Sequence, residues 1–239
     1  MNSLNLKKYK LLKKIGSGTF GEVYKIQDKK TSKIYAAKIS TQSFEELPES
    51  FIRNFEREVS IISKVRHPSI IKFIGSTMKN FQNEEKPIIV TDYLPNGSLE
   101  DVLQLSQKSC SPEQWNDTTK LILIYGVASA MTFLHAHGII HRDLKPANIL
   151  LSKNFYPVIA DFGLSKKEDS TTSTAGVKGT PLYIAPEIWE ENEYSKKSDV
   201  YAYAYIIYEI LTDTRPYQDI TVYKLSQKVC NGERPDTTY

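Results

Sequence analysis

His141-Arg142-Asp143-Leu144-Lys145-Pro146-Ala147-Asn148, followed thirteen residues after Asn148 by Asp161-Phe162-Gly163, is the stretch on which the reading of this chain turns. Between the two blocks, Ile149-Leu150-Leu151 and Val158-Ile159-Ala160 flank a turn around Ser152-Lys153-Asn154, so residues 148–161 read as a β-hairpin. A hairpin brings its two ends together, and here the ends are Asn148 and Asp161. An amide oxygen and a carboxylate that converge beside phosphate suit Mg²⁺, which takes few protein oxygens and fills its shell with water and phosphate oxygens. Asp143, five residues before Asn148, can accept a hydrogen bond from an incoming hydroxyl. A metal site made by His135, His137 and His141 is the competing reading. It fails on spacing, because residues two apart on a helix point apart and Gly138 breaks the helix before His141.

Toward the N-terminus, Ile15-Gly16-Ser17-Gly18-Thr19-Phe20-Gly21-Glu22-Val23 places three glycines where backbone amides can approach phosphate oxygens. A dinucleotide-binding loop would be followed by a helix. Glu22-Val23-Tyr24-Lys25-Ile26 instead alternates like a strand, which selects a loop between two strands. In Tyr35-Ala36-Ala37-Lys38-Ile39 a lysine sits among apolar residues on the same strand face as Ala36. An edge lysine reaching out to water would explain it in isolation. Between residues 51 and 65, however, apolar residues at 51, 55, 62 and 65 follow an amphipathic helix, and Glu58 falls within that stripe. An inward carboxylate needs a cationic partner, since leaving a buried charge unpaired costs several kcal/mol, on the order of 3–5. Lys38 is that partner: it grips phosphates while Glu58 holds it in place.

Strands are expected over residues 9–16, 21–28 and 34–39, with a turn at residues 28–32, and a composition shift near Asn96-Gly97 separates a strand-rich first part from a helical remainder. Ser111-Pro112-Glu113-Gln114 has the form of a helix start, with Ser as N-cap and Pro in the first turn, predicting a helix from there to about His137. Residues 162–182 are polar and rich in Ser, Thr and Gly, too long for an ordinary connection and suited to a functional loop. The 239 residues carry a formal net charge of +3 and a 40% hydrophobic composition, enough for one two-lobed domain or two small ones and against disorder. The lysine cluster at Lys7, Lys8, Lys10, Lys13 and Lys14 has no continuation, so it reads as a solvated edge and no nucleic-acid partner is expected. Two cysteines, Cys110 and Cys230, form no disulfide framework and point to a reducing, cytoplasmic setting. The N-terminus lacks a signal-peptide core, and apolar runs at residues 121–131 and 201–211 fall short of the ~20 residues a bilayer requires. No membrane segment is expected.

Taken together and in order, these residues resemble the eukaryotic protein kinase family over residues 9–239. His67-Pro68, Thr91-Asp92-Tyr93-Leu94, Gly179-Thr180, Ala185-Pro186-Glu187, Ser198-Asp199-Val200-Tyr201 and Arg234 add to the match. The resemblance implies an α+β, two-lobed fold: a small antiparallel β-sheet N-lobe with one regulatory helix (residues 9–95), and a mainly helical C-lobe (residues 96–239) that is truncated. It implies ATP as phosphoryl donor, with Mg²⁺ or Mn²⁺ on Asn148 and Asp161, and Asp143, Lys145 and Asn148 as catalytic residues. Ile15, Gly16, Gly18, Gly21, Val23, Ala36, Lys38 and Leu150 would line the nucleotide site. Thr91 would guard its back, the backbone of Asp92 and Leu94 would bond adenine, and Ser98 would lie near the ribose. Glu58, Ile62, Phe73, His141 and Phe162 would stack or pair in the active arrangement, Asp199 would anchor the catalytic loop, and Thr180 would seat Asp143.

Lys145-Pro146 and Gly179-Thr180 resemble Ser/Thr kinases, and Asp92-Tyr93-Leu94-Pro95-Asn96-Gly97-Ser98-Leu99 is similar to the tyrosine-kinase-like group. Protein substrates follow from that resemblance. Arg142 before Asp143 implies a switch, since an arginine there can hold a phosphate on the loop bidentately. Among Ser170, Thr171, Thr172, Ser173 and Thr174, the expected sites are Ser173 or Thr174, phosphorylated by an upstream kinase or by the protein itself. Ala204 stands where the family usually has Gly, and Ala147 stands where kinases preferring basic sequences often carry an acid. Arg234 is expected to pair with Glu187. The family's last two helices are absent before Tyr239, which leaves a fragment of a longer kinase, or a pseudokinase-like scaffold, as the alternative reading. A lobe cut there would leave apolar surface on its central helices.

Overall fold

The computed structural model describes residues 4–18, 21–168 and 176–236. Two compact units result, one comprising residues 1–66 and 70–94, the other residues 67–69 and 95–239. The first unit is a five-stranded sheet in the order β1-β2-β3-β5-β4, antiparallel throughout, plus one long helix. Its elements are β1 (Tyr9–Gly18), β2 (Gly21–Asp28), β3 (Ile34–Ser40), α1 (Glu49–Ile62), β4 (Phe73–Thr77) and β5 (Ile88–Asp92). The expected 28–32 turn forms because the Asp28 carboxylate accepts hydrogen bonds from the N–H groups of Lys30 and Thr31. Tyr9, Ile26, Ala37, Ile39, Ile88 and Val90 pack one face of the sheet. Strand alternation then puts Ala36 and Lys38 on the opposite face, as their spacing predicts. Along α1 the expected stripe is buried, with Phe55, Glu58 and Ile62 all turned inward.

The second unit contains α2 (Leu99–Gln107), α3 (Asp117–Ala136), β6 (Ile139–Ile140), β7 (Ile149–Leu151), β8 (Pro157–Ile159), β9 (Lys166–Lys167), α4 (Pro186–Glu191), α5 (Lys196–Thr212) and α6 (Val222–Cys230). The expected hairpin is β7 against β8, with Ile149 opposite Ile159. The short pair β6–β9 has no pattern of its own in the sequence and sets Ile140 opposite Lys166. Residues 67–69 join this unit through side-chain and backbone bonds: His67 Nε2 lies 3.2 Å from Ser129 Oγ, and Ile159 N–H donates to the Ser69 carbonyl at 2.9 Å.

The start of α3 corrects the sequence expectation. Ser111-Pro112-Glu113-Gln114 forms a turn closed by Trp115 N–H on the Pro112 carbonyl, and the helix begins five residues later, capped by the Asn116 side chain. The local cap signature loses to a tertiary one. Trp115 Nε1 donates to Asp213 Oδ1 at 2.7 Å and Lys120 pairs with Asp213 Oδ2, fixing this segment against the end of α5. At 20 residues α3 also exceeds the expected apolar run and reaches the length and hydropathy of a bilayer-crossing helix, while packing on β8 and α5 within this unit. Leu121 and Tyr125 on α3, and Val200 and Leu211 on α5, are exposed.

Glu209, only 4% exposed on α5, accepts a 2.6 Å hydrogen bond from the Tyr183 hydroxyl. Burial pushes its carboxyl up to about 7; Tyr183 and Arg215 oppose the shift and Glu100 adds to it. Because folding raises this pKa, the stability tied to the protonated form is complete below the ordinary carboxyl range. It is lost as pH rises through about 7. Glu209→Gln keeps an acceptor for Tyr183 without the charge. The variant should therefore melt higher than wild type at about pH 8, by up to about 3 kcal/mol, and show no advantage at about pH 4. Thermal melts across that range check it.

Candidate active site

In the first unit, the glycine loop is the β1–β2 hairpin, with Gly16 opposite Val23 and Gly18 opposite Gly21. Gly21 is required by the fold, since at φ +151° a Cβ there would lie 2.0 Å from the Ile39 carbonyl oxygen. Gly16 and Gly18 have no such neighbour: a Cβ at either meets no described atom within 4 Å. Packing among the described residues does not demand glycine at those two positions. Ile15 beside them is 40% exposed.

Lys38 lies opposite Val23 on one side and Ile89 on the other. Its Nζ is 3.4 Å from both Oε1 and Oε2 of Glu58, whose side chain is 7% exposed. The partner that the helix stripe demanded is therefore in place. Thr91 faces Ala36 on β3, and Asp92 N–H is committed to the Lys72 carbonyl at 3.0 Å. The Asp92 carbonyl accepts from Thr91 Oγ1 at 3.4 Å, and its carboxylate pairs with Lys33 at 3.0 Å.

In the second unit, the site is built on a buried carboxylate. Asp199, 2% exposed in the first turn of α5, accepts from His141 N–H at 2.8 Å and Arg142 N–H at 2.9 Å, and His135 Nε2 lies 2.8 Å from its Oδ2. Arg142 is held at φ +70°, an uncommon conformation for a side-chain-bearing residue. The next residue is Asp143. Thr180 Oγ1 donates to its Oδ1 at 3.0 Å, while Lys145 Nζ at 3.0 Å and Asn148 Nδ2 at 3.1 Å engage Oδ2. Lys145 Nζ also donates to Thr180 Oγ1 at 2.7 Å. The Asp143 side chain remains 13% exposed.

Asn148 Nδ2 donates a second bond to the Asp143 carbonyl at 2.7 Å, which leaves the amide oxygen as the atom for a cation. The Ala160 N–H donates to the Asn148 carbonyl at 2.8 Å, setting Asp161 one residue from the base of the hairpin at φ +61°. Two oxygen donors in adjoining positions fit Mg²⁺ and its preference for few protein ligands. Among the described residues no group of three or more His, Cys, Asp or Glu is placed to hold a metal. Phe162, fully buried, packs edge-on against His141 at 5.2 Å between ring centres, and Leu150 faces Val158 in the hairpin.

Ser98 caps α2: its hydroxyl donates to Asp101 Oδ2 at 2.7 Å and accepts from Asp101 N–H. One expectation needs correction: among the described residues Arg234 does not pair with Glu187. Its guanidinium bonds the Val229 and Glu233 carbonyls and lies over the Tyr201 ring, while Glu187 Oε1 accepts from Ser198 Oγ at 2.9 Å. A hydroxyl one helix turn from the α5 cap reaches Glu187 first. Ser173 and Thr174 lie outside the described residues.

Sequence reading missed three contributors. His135 is the side-chain donor to Asp199, Ser165 (fully buried) donates to the His141 carbonyl at 3.1 Å, and Tyr194 underlies Arg142. Only His135 carried a signal, as an ionisable group in the last turn of an apolar helix.

This chain belongs to the protein kinase domain family, whose profile matches residues 9–235. It is 34% identical over 92% of its length to serine/threonine-protein kinase 36 of Pongo abelii. It is 35% identical over 87% to the dual specificity protein kinase shkB of Dictyostelium discoideum, and 34% identical over 91% to serine/threonine-protein kinase STY46 of Arabidopsis thaliana. The chain spans 16, 30 and 36% of those three proteins.

If Asp199 carries the loop, changing it must cost stability as well as geometry. Asp199→Asn turns an acceptor into a donor opposite backbone N–H groups. Urea denaturation should show a loss of about 2–3 kcal/mol, against less than about 0.5 kcal/mol for a surface change such as Glu193→Gln.

Proposed function

We propose that this domain transfers the γ-phosphoryl group of ATP to Ser or Thr hydroxyls of protein substrates. The observation that carries the reading is the Asp143 carboxylate, oriented by Thr180, Lys145 and Asn148 yet open to an incoming hydroxyl. Asp143 accepts the proton of that hydroxyl as the new P–O bond forms. Lys145, already against Asp143 and Thr180, balances negative charge on the transferred group. Lys38, steadied by Glu58, binds nucleotide phosphates, and the open backbone at Gly16 and Gly18 admits them. Asn148 and Asp161 hold Mg²⁺ or Mn²⁺, which when bound neutralises phosphate charge and orients the leaving group. Val23, Ala36 and Leu150 supply apolar contacts to adenine, Thr91 stands behind it, and the backbone at Asp92 and Leu94 bonds it.

Similarity to Ser/Thr kinases supports the hydroxyl class, and the dual-specificity relative makes tyrosine the acceptor to test against it. Arg142 is proposed to bind a phosphate on Ser173 or Thr174, placed by an upstream kinase or by the domain itself in a cytoplasmic setting. A peptide library presented with ATP and Mg²⁺ should be phosphorylated on Ser and Thr, with tyrosine peptides at least about tenfold slower. Mass spectrometry of the products reads this directly, and preferential tyrosine labelling would defeat it. EDTA should abolish transfer and Mg²⁺ or Mn²⁺ restore it.

A further inference from the structure

Tyr194 lies between α4 and α5, outside the segments that the function uses. Its ring packs with Ile184, Ala185 and Ile188, and the Arg142 guanidinium carbon sits 4.0 Å from its centre. Its hydroxyl engages Lys178 twice, accepting from the N–H at 2.5 Å and donating to the carbonyl at 2.9 Å. Gly179 follows at φ +112°, where a Cβ would lie 3.1 Å from the Arg142 carbonyl oxygen, and Thr180 comes next. One side chain therefore touches the residue before Asp143 with its face and the residue two before Thr180 with its hydroxyl.

We propose that Tyr194 is a positioning residue that ties the Asp143 loop to the segment carrying Thr180 and thereby sets the Thr180–Asp143 hydrogen bond. The inference rests on the reading of Asp143 as base. Lys178 is bonded through its backbone, which makes the tie independent of the side chain at that position.

The test compares wild type, Tyr194→Phe, Thr180→Ala and the double variant. Phe keeps the ring under Arg142 and removes both bonds to Lys178. The expected result is about a tenfold fall in kcat for Tyr194→Phe, ATP KM within about twofold of wild type, and no additional fall in the Thr180→Ala background. Unchanged kcat, an equal fall in both backgrounds, or a parallel rise in ATP KM overturns the proposal. So does a Tyr194→Phe chain that fails to fold by near-UV circular dichroism, since that places Tyr194 in the core alone. A wild-type chain with no Asp143-dependent transfer would defeat the kinase reading and this one with it. An active wild type matched by Tyr194→Phe defeats this one only.

Discussion

The Asp199 carboxylate, buried and bonded to the backbone N–H groups of His141 and Arg142, is the constraint on which the second unit's chemistry depends. Positive φ at Arg142 costs on the order of 1–3 kcal/mol and persists only where surroundings over-determine it. Two charge-assisted bonds to adjacent amides do so, and His135 satisfies the carboxylate from a third side. The bent backbone then delivers Asp143 to Thr180, Lys145 and Asn148. Ser165 secures the same turn through the His141 carbonyl. The geometry of Asp143 is thus a property of backbone groups held from beneath, with a lysine and a threonine finishing the orientation.

The first unit solves a parallel problem with an ion pair. Glu58 on α1 and Lys38 on β3 lie twenty residues apart in the sequence, and each would be costly to bury alone. Paired, they leave a cation on the sheet face that also carries Ala36, away from the packed face of Ala37 and Ile39. Charge and apolar surface thus share one side of β3, while the other side holds the sheet together.

Much of this was legible because the relevant signals are local. Strand alternation marked β1 to β3, the apolar stripe of α1 exposed Glu58, and the hairpin pattern around Ser152-Lys153-Asn154 joined Asn148 to Asp161. What failed was decided by tertiary partners that no window of sequence contains. Ser111-Pro112 has the local form of a helix start, yet Trp115 and Lys120 meeting Asp213 hold that segment as a turn. Arg234 and Glu187 have opposite charges, yet a serine and a tyrosine ring lie nearer to each.

The central claim is that Asp143 acts as the base while other residues hold nucleotide and metal. The direct measurement is single-turnover phosphoryl transfer by Asp143→Asn at saturating MgATP and peptide, with nucleotide affinity determined in parallel. The account predicts a transfer rate lower by about 10²–10⁴-fold with nucleotide Kd unchanged. A rate within a few-fold of wild type, or a loss explained by weaker nucleotide binding, would contradict it.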